Sequence, residues 1–162
     1  MSNRWVLNAS PLILFARVER LDLIETLTPQ AIVPDAVIDE IRAGATDDRS
    51  ASAALAFAQS RRATNLAVLE SVLHWDLGAG ESQVIAHALH GSDWAVLDDL
   101  AARRCAATHQ IRVIGSIGIV LRAKRSGLVE AAAPLLLKLK FAGMYAAEDF
   151  IQSVLASVGE NL

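Results

Sequence analysis

Cysteine occurs once in these 162 residues, as Cys105. That excludes an internal disulfide and any zinc spacing built on paired cysteines. Aromatic residues make up only 5%, and the apolar content is carried by Ala and Leu, which argues against an all-β design and for helices. No apolar run approaches the roughly 20 residues of a membrane span; residues 11–16 form one of the longest. Met1 is followed by polar Ser2, Asn3 and Arg4 rather than by a secretory pattern, so a reducing cytoplasm is the expected compartment. An excess of positive charge is also missing. The net charge is −3, and a nucleic-acid partner would have to be held by local basic clusters rather than by overall charge.

What is present bounds the class. Hydrophobic residues make up 53% and charged residues 20%, a balance that buries a core and excludes disorder. The length suits one domain, expected over 1–162, with a core at about 4–128 and helices at about 129–158.

Short apolar runs alternate with helical patterns. Strands are expected at 5–9, 31–34, 94–97 and 111–114, with a further one somewhere in 66–75. Between them lie helices at 12–18, 21–27, 35–42, 51–62, 81–90, 100–109 and 116–125, with a loop at 44–49. Ser10 and Pro11 read as N-cap and first helical residue, and Ser116 as the cap of its own helix. From 129 to 158 the pattern gives two helices broken near Gly143. Alternation on short connections predicts an α/β fold, a three-layer α/β/α sandwich around a central parallel sheet with a helical C-terminal extension. Ligands of such sheets bind beyond the carboxyl ends of the strands.

Acidic residues gather at those ends. Glu81 heads a helix whose Val84, Ile85, Ala88 and Leu89 share its face. A carboxylate on a core-facing stripe is disfavoured by desolvation unless paired, although a first-turn Glu can also turn outward and complement the helix dipole. Asp98 and Asp99 follow the strand at 94–97. Helix capping accounts for one of them but not for two adjacent carboxylates. Glu40 lies at the edge of the stripe formed by Val37, Ile38 and Ile41, where a solvated side chain is the ordinary reading. Asn8 ends the first strand, as a turn residue or as a neutral oxygen ligand. Carboxylates on neighbouring strand ends suit Mg²⁺ or Mn²⁺ and, with them, phosphoryl chemistry.

Other groups carry less. His74, His87, His90 and His109 form no metalloprotease pattern, and His87 and His90 read as helix-surface residues. Cys105, beside Ala106 and Ala107, reads as a small core residue. Residues 78–83 begin like a dinucleotide loop but lack the third Gly and set a carboxylate where a pyrophosphate belongs. Arg61 with Arg62, Arg103 with Arg104, and Arg122 with Lys124 and Arg125 are basic clusters. They are solvated helix faces unless some of them rim the acidic pocket.

Taken in order, Leu7-Asn8-Ala9-Ser10-Pro11-Leu12-Ile13, Val33-Pro34 with Glu40, Gly78-Ala79-Gly80-Glu81 with Ile85-Ala86, Val96-Leu97-Asp98-Asp99 with Ala102-Arg103, and Arg112 to Gly115 resemble PIN-like domains. The nearest pattern is a prokaryotic branch whose first motif reads Asn-Ala-Ser-Pro-Leu-Ile. The resemblance implies a parallel sheet between helices and a Mg²⁺- or Mn²⁺-dependent endoribonuclease, often the toxin of a toxin–antitoxin pair. It sets Glu40, Glu81 and Asp99 as metal-holding acids, Asp98 beside them, Asn8 in the place of the usual Asp, and Ser10 as the hydroxyl residue of the first motif. RNA is the implied substrate and a small antitoxin protein the implied partner. Apolar helices near 12–27 and 135–158 also offer a homodimer surface. Asn8 keeps a second reading open: a PIN-like binding module with weak or no catalysis. A phosphoacceptor domain is disfavoured, because no acidic pair ends the first strand and no Lys follows residues 111–114.

Overall fold

The computed structural model describes residues 3–45 and 49–162; half of the loop expected at 44–49, residues 46–48, lies outside them. Trp5–Leu7 forms β1, buried at all three positions, as expected of a strand covered on both faces. Trp94–Val96 (β4) pairs parallel to it with Trp5 opposite Trp94 and Leu7 opposite Val96, and Val113–Ile114 (β5) extends the sheet through Val96 opposite Ile114. Val33–Pro34 (β2) pairs in parallel with Arg62–Ala63 (β3). A parallel bridge between Val6 and Ile32 joins this pair to the three-stranded sheet. In it Leu7 N–H donates to the Ile32 carbonyl and Ile32 N–H to the Trp5 carbonyl, both at 3.0 Å. The order across both is therefore β3-β2-β1-β4-β5, all parallel.

That order places the site. The chain runs from β1 outward through β2 and β3, then returns to the other side of β1 for β4 and β5. Beyond the carboxyl ends of β1 and β4 the crossovers diverge, and a crevice opens. Asn8 follows β1 directly and Asp98 and Asp99 lie just past β4.

Helices flank the sheet, as the alternation predicts. Asp35–Ala43 (α3) buries Ala36, Val37, Ile38 and Ile41 and leaves Asp39 and Glu40 exposed. Ala79–Gly91 (α6) packs on β1, β2 and β4. It buries far more than one stripe: Ser82, Gln83 and His87 are covered along with Val84, Ile85 and Ala88. These polar side chains hold an irregular segment. Gln83 clips Leu66 through its backbone N–H and carbonyl, each at 2.8 Å, and His87 Nε2 lies 2.9 Å from the Thr64 carbonyl. The helix-surface expectation for His87 is thus overturned, while His90 is exposed. Burial pushes the His87 imidazole below its ordinary value.

Three local expectations change. The strand sought in 66–75 is instead β3, Arg62–Ala63, just after the helix Arg49–Gln59 (α4). The later segment turns into the single-turn helix Glu70–Leu73 (α5). Helix Ala9–Arg17 (α1) starts earlier than Ser10-Pro11 suggests: Asn8 is the N-cap, and Pro11 sits in the first turn, where a missing N–H leaves no bond unmade. Helix Ser116–Arg125 (α8) is capped by Gly115 rather than by Ser116. The helices Leu21–Leu27 (α2) and Leu100–Thr108 (α7) follow the sequence pattern closely. So does the C-terminal pair Ala133–Phe141 (α9) and Glu148–Ala156 (α10), divided by Gly143 at φ +116°. Cys105 is fully buried in α7, where desolvation raises its thiol pKa.

Candidate metal and nucleic-acid site

Asn8, Ser10, Glu81, Asp98 and Asp99 line one cavity of about 970 Å³ at the strand ends. Asn8 is 5% exposed, and its backbone N–H donates to the Val96 carbonyl at 3.3 Å, which fixes it across the β1–β4 junction. Its side-chain oxygen is buried without a hydrogen-bond partner. An orphaned buried acceptor is disfavoured by ~1–3 kcal/mol unless a donor or cation meets it.

The adjacent aspartates divide between two helices. Asp99 caps α7, accepting the Ala102 N–H at 2.9 Å. Asp98 turns to α8: one oxygen accepts the Ser116 N–H at 2.7 Å, the other the Ser116 hydroxyl at 2.6 Å. Gly115 makes room for this. A Cβ there would lie 2.9 Å from Asp98 Oδ1 and 2.7 Å from Arg103 Nη1. Arg103 in turn donates to the Leu97 carbonyl at 2.9 Å, so one guanidinium is anchored at the lip of the acidic group.

Glu81 occupies the first turn of α6, half-buried, and its carboxylate accepts the Gly78 N–H at 3.3 Å. This is the return half of a capping box. Burial raises its pKa first, then the charges of Asp99 and, more weakly, Glu40; the Gly78 bond only partly offsets them. Glu40 is exposed on α3 and does not line the cavity wall, but it reaches the same helix start. Its Oε1 accepts the Gly80 N–H at 2.8 Å. A Cβ on Gly78 would lie 3.7 Å from Glu40 and 3.8 Å from Glu81, so the two carboxylates flank that glycine. Ser10, two residues beyond Asn8, is exposed and lines the cavity.

Of the basic clusters, Arg103, Arg122 and Arg125 line the cavity. Arg61 and Arg62 pair elsewhere, with Glu25 and Asp35. Two glycines that sequence reasoning missed, Gly80 and Gly115, prove to be close-approach positions. A Cβ on Gly80 would fall 2.6 Å from Glu40 Oε2. The only sequence signal for them is adjacency to Glu81 and Ser116.

The donor set fits a hard divalent cation: Glu81, whose proton affinity is raised by burial and by the neighbouring Asp99 and Glu40 charges, those two carboxylates themselves, and an amide oxygen with nothing to accept from. Among the described residues, however, no three acidic, His or Cys side chains are drawn together as a preformed metal cluster. Glu40 and Asp99 are instead held by helix N–H groups.

The crystal structure of PAE2754 from Pyrobaculum aerophilum resembles this fold, with a TM-score of 0.51 at 18% sequence identity, over 75% of this chain and 97% of that one. No curated protein matches the sequence significantly. A family model described as a PIN domain matches residues 4–160. With nearly its whole length matched in this way, the chain belongs to the PIN domain family, whose members are generally nucleases that use divalent metal ions.

Proposed function

We propose that this chain is a metal-dependent endoribonuclease and the toxin of a toxin–antitoxin pair, working in the cytoplasm as a single PIN-like domain over 1–162. The observation that carries the reading is the strand-end cavity, lined together by Glu81, Asp98, Asp99 and Asn8, the last with a buried side-chain oxygen that has no hydrogen-bond partner. Glu81, Asp99 and Glu40 would hold Mg²⁺ or Mn²⁺, with Asn8 as a neutral oxygen ligand. The bound cation supplies water activation and charge neutralisation at a phosphodiester. Asp98 acts through Ser116 as a positioning residue for the β4–α8 corner, and Ser10 offers a hydroxyl to the substrate. Arg103, fixed to the Leu97 carbonyl, places a positive charge beside the acids for the scissile phosphate. The small antitoxin and a second copy of the chain are the protein partners in this reading, with the apolar helical faces as their contacts.

The test is cleavage of single-stranded RNA with Mn²⁺ by wild type, Glu81→Ala and Asp99→Asn, the last retaining the α7 cap. Loss of at least about 100-fold in both variants is expected. Equal activity in all three would trace the cleavage to a contaminant.

A second reading, a binding module with little catalysis, is favoured by Asn8 itself, which removes one negative charge from the site. Asn8→Asp separates the two. Tighter Mn²⁺ binding and faster cleavage mark an attenuated nuclease, whereas no change in either marks a binding module.

A further inference from the structure

The cavity extends beyond the acids, and its remaining walls have a different chemistry. One wall is α8, which spans the site from end to end. Its first residue, Ser116, is bonded to Asp98, and its last turn carries Arg122 and Arg125, both lining the cavity. At 1.5 Å per residue the two ends lie about 14 Å apart, roughly the rise of four stacked nucleotides. Among the described residues neither arginine has a carboxylate within ion-pair distance. Arg122 is laid over the Trp94 ring at 4.6 Å, which fixes its guanidinium plane within the wall.

The facing wall is the connection from α9 to α10. It is held in place by Arg17, whose guanidinium donates to the Ala142 carbonyl at 2.8 Å, and by Met144, buried in the core. Beyond these anchors the chain presents Tyr145 at 98% exposure in the connection and Phe150 at 54% in the first turn of α10, both on the cavity. An aromatic ring almost wholly in water on an anchored loop adds nothing to the core. Its π-face is available to a planar partner.

We infer that the α9–α10 connection, the first turn of α10 and the last turn of α8 form a base-stacking subsite for single-stranded RNA, with Arg122 and Arg125 holding phosphates while Tyr145 and Phe150 stack on bases. The inference rests on the nuclease reading for the identity of the strand and adds where the strand lies as it leaves the acids. Guanidinium groups without carboxylate partners on one wall, with exposed rings on another wall of the same cavity, are the pairing that unpaired nucleic-acid strands require. An apolar peptide would cover Tyr145 but leave two cations in a partly enclosed cleft without counter-charge. The mildly negative net charge is no obstacle, because Arg122 and Arg125 lie at the far end of α8 from the Ser116 that is bonded to Asp98.

The test is fluorescence anisotropy of a labelled oligouridylate without divalent metal, so that binding is read without cleavage. Tyr145→Ala and Phe150→Ala should each weaken binding by about five-fold to a hundred-fold. Tyr145→Phe should bind as wild type, since stacking needs the ring and not the hydroxyl. Arg122→Ala and Arg125→Ala should each flatten the salt dependence by about 0.7 in log–log slope. An abasic strand of the same length should lose affinity for wild type but bind wild type and Tyr145→Ala alike. The inference is overturned if wild type binds no RNA, if Tyr145→Ala binds as tightly as wild type, or if that variant changes only the oligomeric state, which would assign the face to a second copy. Cleavage with Mn²⁺ keeps the two ideas apart. Cleavage by wild type with undiminished binding by Tyr145→Ala removes the subsite and leaves the nuclease. Ring-dependent binding without any cleavage does the reverse.

Discussion

Replacing Glu81 by Gln should make this protein more stable while removing its proposed activity. The side chain is half-buried in the first turn of α6, and its proton affinity is raised by burial and by the charges of Asp99 and Glu40. Gln keeps the shape and the acceptor for the Gly78 N–H, since either residue completes a capping box. What disappears is one negative charge. Its loss forfeits a favourable helix-terminus term of about 0.3–1 kcal/mol, but relieves desolvation and two like-charge contacts. Relief of functional-site crowding is commonly worth about 0.5–2 kcal/mol. Solvent screens a half-exposed group, so the net gain should be only ~0.5 kcal/mol. In a chain of 162 residues that is a rise in Tm of about 1–2 °C. The pH dependence has a definite sign. A carboxyl whose pKa is higher in the folded state stabilises the fold at low pH and loses that contribution as pH rises through the folded value. The advantage of Gln should therefore vanish in acid, grow as pH passes from the ordinary glutamate value through the raised one, and level off above it. Thermal melts from acid to neutral pH, without metal, read this directly. Saturating Mn²⁺ should then reverse the order, because a ligand at 100 times its Kd stabilises the folded state by about 2.7 kcal/mol and the neutral amide of the variant would hold it poorly. A Gln variant less stable than wild type at neutral pH, or an advantage independent of pH, would refute the crowding argument. Equal stabilisation of both proteins by Mn²⁺ would remove Glu81 from the metal set.

Gly80→Ala should leave thermal stability unchanged or slightly higher, since Ala is the better helix residue by up to about 1 kcal/mol. The new methyl group would displace the flexible Glu40 carboxylate, now 2.6 Å from its position, and Mn²⁺-dependent cleavage should fall by about ten-fold or more. Asp98→Ala should destabilise by about 2–3 kcal/mol, because both hydrogen bonds to Ser116 are charge-assisted. A cycle with Ser116→Ala, read by urea unfolding, should give a coupling of at least about 1 kcal/mol; additivity would show that the pair does not act together. Glu160 accepts the Ala132 and Ala133 N–H groups at the start of α9 and pairs with Lys124, and these N–H bonds hold its pKa below the usual range. Its contribution is present above the ordinary glutamate value, about 4.3, and lost as pH falls through the lower folded value. Amide exchange at the start of α9, compared between wild type and Glu160→Gln, should show the difference closing in acid.

The sheet is readable in the sequence because β1 and β4 are continuous apolar runs, and a parallel sheet covered on both faces leaves that trace. β3 is not. Its two residues, Arg62 and Ala63, carry no apolar signal and exist as a strand because the backbone of β2 offers them partners. His87 misleads for a related reason. Helical spacing sets it on a surface, but the irregular segment through Thr64 and Leu66 runs beneath it and needs side-chain partners for its polar backbone groups. Glu81 is readable since a carboxylate at the head of a buried stripe is a local contradiction. Tyr145 and Phe150 give no such contradiction, because nothing local sets the α9–α10 connection across the cavity from α8.

The pair Asp98-Asp99 marks the limit of local reasoning. Two adjacent carboxylates are one too many for capping a single helix, and so argue for a cation. The structure supplies a second helix start, Ser116, eighteen residues beyond Asp98, and Asp98 is fully engaged there. A carboxylate whose two oxygens each accept a strong bond gains less from a metal than one whose charge is uncompensated. That shifts the case for a cation from Asp98 to Glu81, whose one bond is a 3.3 Å contact with Gly78, and to Asn8, whose oxygen has none. These two residues enter from α6 and from the end of β1, the two elements that meet at the crevice. If a metal binds, its first effect is therefore to close that junction. Mn²⁺ should slow amide exchange at Gly78–Glu81 and at Asn8 while leaving the Ser116 amide, already bonded to Asp98, unchanged. Protection appearing at Ser116 instead would return Asp98 to the centre of the site.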